Sequence, residues 1–282
     1  LLRVVTVDLL IILGEYMYIN SVLAKKVPEC CTPKEVEDAL VDHYGSLAEQ
    51  IKGVAEGRWH LVVNGPTGSG KTEYVKKVLS LYCKKTPTYN SGTLSAVMLF
   101  KLLYENKRNG DVLVIDDTDS IFESVEAVEV LKAALDTQQA KTVEWNKYSQ
   151  ALSTYGIPST FKYEGKVVIV TNRHCVRNPQ GAKNKVDRML LPLWSRVMYF
   201  AAGLPTRDWE IQSLKMFQKN DEIRCFDEKG VDAKGQKEII GFVARHQDDF
   251  HDVNFRLVSQ MCDLYKAFDK GAWKAHALNS LT

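Results

Sequence analysis

The sequence predicts an α/β fold, a parallel sheet covered by helices on both faces, followed by a small C-terminal helical lid domain. Three observations predict it. Short runs of aliphatic, mostly β-branched residues recur at Leu61-Val62-Val63, Val112 to Ile115 and Val167 to Val170, with a fourth at Val197 to Ala201. Helix-period stretches lie between these runs, and continuous apolar strands separated by helices belong to parallel sheets buried on both faces. Beyond Leu204 the strand runs stop and helix-period segments take over. The 282 residues are 45% hydrophobic and 26% charged, which supports a buried core and excludes a mainly disordered chain.

The elements follow in order. Residues 1–13 are apolar but broken by Arg3 and Asp8, with no clear cleavage site after them; they read as a buried strand or helix rather than a signal peptide. Val36, Leu40, Tyr44, Leu47 and Ile51 are spaced three and four apart and predict one face of a helix. The first apolar run leads into a glycine-rich turn and a helix to about Cys83. Val125, Val128, Leu131 and Leu135 line one side of a helix over 123–135. In the C-terminal part, 206–219, 234–246 and 253–268 read as helices, the last with a stripe of Leu257, Val258, Met261, Leu264, Tyr265 and Phe268. The expected domains are a helical extension over 1–55, an α/β core over 56–203 and a helical lid over 204–282. No apolar run reaches the roughly 18–20 residues of a membrane span. The six cysteines form no C-x-x-C pair and read as reduced thiols, with Cys30-Cys31 in a loop.

The chemistry is concentrated at the ends of three runs. Gly65-Pro66-Thr67-Gly68-Ser69-Gly70-Lys71-Thr72 matches G-x-x-x-x-G-K-[ST], a phosphate loop. Its glycines let backbone N–H groups turn inward around phosphate oxygens, and the following helix adds its positive end. Lys71 is expected to reach the β- and γ-phosphates of ATP, and the Thr72 hydroxyl to ligate Mg²⁺. The second run ends in Asp116-Asp117, with Asp116 expected to hold Mg²⁺ and Asp117 to polarise the attacking water. Asp119 is the fallback base. The third run ends in Thr171-Asn172, an amide placed to orient that water or touch the γ-phosphate.

The ordered set of phosphate loop, acidic pair, strand ending in Asn, Arg and helical lid resembles the AAA+ P-loop ATPases. The stretch from Tyr89 through Trp145 is similar to phage-encoded members of that group. The Asp-Asp pair and the strand ending in Thr-Asn are also similar to viral superfamily 3 helicases. The resemblance covers about residues 58–270. It implies that Arg196, in Ser195-Arg196, is an arginine finger for a neighbouring subunit's nucleotide, with Arg188 competing for the role. Arg256 is implied as the residue that reaches the γ-phosphate in cis. It also implies a homo-oligomeric ring, a hexamer among the sizes open to it, in the cytoplasm of an infected host cell if the chain is phage-encoded.

A local charge pattern suggests the partner. Residues 138–188 hold nine Lys or Arg against three acids, within a chain whose net charge is only +2. Lys141, Trp145, Lys147 and Tyr148 interleave cations and aromatics, as single- or double-stranded DNA binding uses them. By position in superfamily 3 helicases, residues 143–163 are placed like a channel hairpin; residues 88–95, with Tyr89, are a second possible channel loop. The sequence therefore predicts an ATP-hydrolysing motor acting on DNA in phage replication or recombination, as helicase, loader or remodeller. The alternatives are a protein remodeller or assembly factor without a DNA substrate, and a nucleotide switch with little turnover.

Overall fold

Three of the four apolar runs form the middle of a sheet and the fourth forms one of its edges, because each is flanked by turn-forming residues and is too short for a helix. In the computed structural model, which describes residues 32–137, 141–268 and 271–282, the strands are β1 (Leu61–Asn64), β2 (Thr88–Ser91), β3 (Val112–Asp116), β4 (Thr142–Glu144), β5 (Thr160–Lys162), β6 (Lys166–Thr171) and β7 (Met198–Ala201). The expectations for residues 1–13 and for Cys30-Cys31 lie outside the described residues. Five strands form one all-parallel sheet in the order β2-β3-β6-β1-β7. Such a sheet needs a crossover between strands. α1 (Pro33–Ala55) precedes the first strand; α2 (Lys71–Tyr82), α3 (Ala96–Glu105), α4 (Val125–Ala134) and α6 (Lys185–Trp194) lie on the crossovers, and α5 (Gln150–Thr154) lies between β4 and β5.

Two elements depart from the sequence reading. Thr88-Tyr89-Asn90-Ser91 is an edge strand pairing with β3, not a channel loop. Its residues alternate between half-buried and exposed, because an edge strand needs backbone partners on one side only and can stay polar. Within 143–163, β4 and β5 pair antiparallel, and Val143, Trp145, Phe161 and Tyr163 are buried in the main core. Phe100 of α3 packs edge-on to Phe161 at 5.0 Å and tilted to Trp145 at 5.7 Å. One face of this pair of strands is therefore anchored by aromatic packing, its other face is exposed, and the connecting segment carries Tyr148, 89% accessible.

The chain divides into two compact units. One comprises residues 47–66 and 71–202 and contains both sheets. Its centre is aliphatic, with Val62, Leu113, Val167 and Ile169 at most 1% exposed. The other comprises residues 32–46, 67–70 and 203–282. Its C-terminal helices are α7 (Arg207–Lys219), α8 (Arg224–Glu228), α9 (Ala233–Arg245), α10 (Phe255–Ala267) and α11 (Trp273–Ser280). Residues 33–46 of α1 belong to this unit. The first turn of α1 is closed by Thr32 and Glu35, each accepting from the other's backbone N–H, a capping box. Tyr44 is buried against Phe217, and its hydroxyl shares a 3.0 Å hydrogen bond with Ser213. Trp273 fills the space between Phe242 and Tyr265. The Arg207 guanidinium donates to the Gln247, Phe250 and His251 carbonyls, fixing the loop after α9. No helix among the described residues is long and apolar enough to cross a membrane.

Candidate active site

In a parallel sheet all carboxyl ends lie at one edge, so residues just past the strands converge there. The register aligns Asn64 with Thr171 and Asp116 with Val170, which sets the tips of β1, β6 and β3 side by side. Lys71, the first residue of α2, is buried, and its ammonium donates to the Gly65 and Pro66 carbonyls at 2.9 and 2.7 Å. It also donates to Asn172 Oδ1 at 2.9 Å. The Asn172 amide then donates to Asp117 Oδ1 at 2.8 Å. Lys71, Asn172 and Asp117 thus form one chain of charge-assisted hydrogen bonds across three strand tips.

The next residue along α2 makes the second link. The Thr72 hydroxyl donates to Asp116 Oδ1 at 2.8 Å. Burial pushes the Asp116 carboxyl above the usual aspartate range; the Thr72 hydrogen bond opposes this and neighbouring Asp117 adds to it. A hydroxyl and a carboxylate at this spacing are hard oxygen donors of the kind Mg²⁺ takes when it keeps most of its waters and binds substrate phosphates. Two protein oxygens leave most of the coordination sphere to water and phosphate, so the donor set fits a cation shared with a phosphate ligand.

Asp117 has φ of 49°, a left-handed conformation that aspartate tolerates better than most residues. It turns the chain directly after β3 and leaves the Asp117 side chain exposed. Asp119 is committed elsewhere, accepting from the Thr171 hydroxyl at 2.5 Å. It steadies the tip of β6.

Residues 67–70 belong with the helical unit. Gly68 and Gly70 have φ of 77° and 80°, which suits glycine and turns successive N–H groups to one side. A Cβ on Gly68 would lie 2.7 Å from the Asn254 side chain, and one on Gly70 would lie 3.1 Å from the Phe255 ring. Asn254 caps α10, donates to the Thr67 carbonyl at 3.3 Å, and its neighbour Phe255 donates N–H to the Gly68 carbonyl. Arg256 follows immediately and is exposed. Sequence reasoning missed the Asn254-Phe255 pair, because an Asn and a Phe before an apolar stripe signal only a helix start.

Arg196 lies at the other edge of the sheet. It is half-buried two residues before β7, and donates to the Pro192 carbonyl. Leu61 and Met198 are register partners, so Arg196 sits near the start of β1 while Lys71 lies past its end. Four strand residues at about 3.3 Å each separate the two edges by roughly 13 Å. Arg188 is exposed on α6.

Two of the four expected nucleic-acid contacts are corrected. Trp145 is 8% exposed and offers no open ring face to a base. Lys141 is half-buried with its amine 2.7 Å from His60 Nε2, so it does not stand out toward a phosphate backbone. Lys147 is exposed and paired with Glu126, and Tyr148 is fully outside the core.

No protein-family profile matches the sequence. The chain is 28% identical over 252 residues to an uncharacterized 36.7 kDa protein from the nrdC-mobD intergenic region of Enterobacteria phage T4, covering 86% of this chain and 74% of that one. Among solved structures it is similar to two point mutants of Thermotoga maritima RuvB. One gives a TM-score of 0.51 at 16% identity, covering 86% of this chain and 69% of RuvB. The other gives 0.50 at 17% identity, covering 87% and 68%. The fold is that of the AAA+ P-loop NTPases.

Proposed function

We propose that this chain is an ATP-hydrolysing AAA+ motor that works as a homo-oligomeric ring, and that its track is DNA. The observation that carries the ATPase reading is the hydrogen-bonded set Lys71-Asn172-Asp117 beside Thr72-Asp116. These are five side chains from a phosphate loop and two further strand tips, joined by hydrogen bonds. Gly65 to Thr72 would cradle the triphosphate, with Lys71 exchanging its carbonyl partners for phosphate oxygens. Thr72 and Asp116 would hold Mg²⁺, which supplies charge neutralisation at the phosphates. Asp117 would accept the proton of the attacking water, with Asn172 fixing the position of both Asp117 and Lys71. Arg256, beside the pair that touches the loop, would reach the terminal phosphate in cis. Arg196 would act on the nucleotide of a second copy, because in its own copy it lies at the opposite edge of the sheet. Residues 1–55, 56–203 and 204–282 would serve as extension, ATPase core and lid.

Support for DNA comes from the basic segment 138–188, from the exposed Lys147 and Tyr148, and from the likeness of the strand ends to superfamily 3 helicases. RuvB is described as a Holliday junction branch migration motor. The burial of Trp145 and the turning inward of Lys141 favour a second reading, a remodeller of polypeptide. One experiment separates them: phosphate release measured with and without single- and double-stranded DNA, at several protein concentrations. The first reading expects turnover that rises with DNA and with protein concentration and is lost in Lys71→Ala. Turnover indifferent to DNA leaves the polypeptide reading, and turnover retained in Lys71→Ala overturns the ATPase site.

A further inference from the structure

The amino-terminal edge of the sheet carries a cavity of about 450 Å³, built on the starts of three adjacent strands. His60 precedes β1, Lys166 opens β6 and Arg196 precedes β7; Lys141 and Arg58 add further cations, Tyr163 adds a phenol, and Asp136 and Glu164 stand at the margin. Arg58 is paired with Glu56. The Val167 N–H donates to His60 Nδ1 at 3.0 Å, so the neutral imidazole carries its proton on Nε2. That Nε2 lies 2.7 Å from Lys141 Nζ. Two donors cannot share this contact, so the Lys141 amine accepts, and it can do so only when uncharged. Burial, reinforced by Lys166, lowers Lys141 to about 8, and burial lowers Lys166 as well. A second, independent observation points to the same need. Tyr163 lines the cavity, is 1% exposed, and its buried hydroxyl has no hydrogen-bond partner. Gly165 permits this placement, since a Cβ there would stand 3.1 Å from the tyrosine oxygen and 2.1 Å from the Asn106 carbonyl.

We propose that the cavity formed by Arg58, His60, Lys141, Tyr163, Lys166 and Arg196 is a second phosphate-binding site, at the opposite edge of the sheet from the Gly65–Thr72 loop. Two amines and two guanidiniums approach from different parts of the chain, and the Tyr163 phenol lies in the wall. That donor set matches an anion with several acceptor oxygens and a tetrahedral outline better than a planar carboxylate. A bound phosphate would give the Tyr163 hydroxyl its acceptor, and would draw Lys141 away from His60 as a charged ammonium. The phosphate is either free or carried on the nucleotide of a second copy; the site itself requires no ATP turnover.

Lys141 gives a local readout, because an uncharged amine acylates and an ammonium engaged by phosphate does not. The full chain is treated with an amine-acetylating reagent at pH 8, and modification of Lys141 is compared with that of exposed Lys147 by mass spectrometry. Inorganic pyrophosphate at about ten times its dissociation constant is expected to slow Lys141 about tenfold by occupancy while leaving Lys147 unchanged. Protection that persists in Lys71→Ala identifies free phosphate as the source. Protection seen only with ATP, rising with protein concentration and lost in Lys71→Ala, identifies the nucleotide of a second copy. In either case Tyr163→Phe, which removes one oxygen, and Lys166→Met are expected to weaken the protection. The proposal is overturned if neither pyrophosphate nor ATP protects Lys141, or if protection is the same in Tyr163→Phe and Lys166→Met as in the unaltered chain.

Discussion

Asn172 is the joint of the candidate active site, and its removal is the most informative perturbation. Its carbonyl accepts from Lys71 at 2.9 Å and its amide donates to Asp117 at 2.8 Å. Each is a hydrogen bond to a charged group, worth about 1.5–3 kcal/mol net. Both Asn172 and Asp117 are exposed, so the lower figure applies, and together they hold about 3 kcal/mol of positioning. Asn172→Ala is therefore expected to lower kcat on the order of 10²-fold. Lys71 keeps the Gly65 and Pro66 carbonyls, so ATP affinity is expected to stay within about threefold, the split that marks a group acting in the transition state. Asn172→Asp separates the two bonds. It leaves an acceptor for Lys71 but sets a carboxylate against Asp117, a repulsion of about 1–4 kcal/mol at 4 Å between the aqueous and near-surface limits. It should be at least as slow as the alanine variant. Steady-state phosphate release and equilibrium binding of a fluorescent ATP analogue measure both quantities. A kcat for Asn172→Ala within about threefold of the unaltered chain would refute the reasoning, as would a loss confined to ATP affinity.

Three further outcomes follow from the same geometry. The Asp116 carboxyl titrates above the ordinary range, so Mg²⁺ affinity should begin to fall at a higher pH than for a free aspartate, by up to about tenfold per pH unit below its pKa; Mg²⁺ titrations of the nucleotide complex between pH 8 and 4 test this, and a flat profile contradicts it. Burial holds His60 and His43 well below their usual range, His43 at about 4. As pH falls through the unfolded value of about 6.5, the unfolded chain takes up protons that the native one refuses, and stability is lost at up to about 1.4 kcal/mol per pH unit for each. Denaturation midpoints from pH 7 to 4.5 should show this slope, and His60→Asn should flatten it. Trp145→Ala should cost about 3–5 kcal/mol of stability as a large core ring is removed, whereas Lys147→Ala and Tyr148→Ala should leave thermal unfolding unchanged and reduce DNA binding. Unaltered stability of Trp145→Ala would return that ring to the surface.

The strand tips were legible in the sequence because the same residues that end an apolar run must also do the chemistry. A run of Val and Ile that stops at Asp116 or Thr171 marks both the end of burial and the start of the site. The α1 stripe was legible for a related reason: Leu40, Leu47 and Ile51 are buried to within 1%, and helix periodicity records that burial directly. The edge strand β2 was not legible, because half of its surface faces solvent and its partner needs only its backbone. Nor was the fate of Trp145. A Trp between two lysines has the composition of a nucleic-acid surface, but the alternation of β4 places Val143 and Trp145 on one face, inward, and leaves Glu144 outward. Composition within a window averages over the two faces that a strand separates.

The same two-sidedness governs the sheet as a whole. Its carboxyl edge gathers Lys71, Thr72, Asp116, Asp117 and Asn172, and its amino edge gathers His60, Lys141, Lys166 and Arg196. These are opposite ends of the same strands, so no small shift within one copy can bring Arg196 to the phosphate loop across roughly 13 Å of strand. A function for both edges at one phosphate therefore requires two copies, with the carboxyl edge of one facing the amino edge of the next. Such a contact is head-to-tail rather than self-complementary, and head-to-tail contacts close into rings when the rotation permits. The expected consequence is that mixing Lys71→Ala with Arg196→Ala restores turnover to part of the sites, since an intact carboxyl edge can then meet an intact amino edge. Two variants that remain as inactive together as apart would separate the two edges functionally and confine the chemistry to one copy.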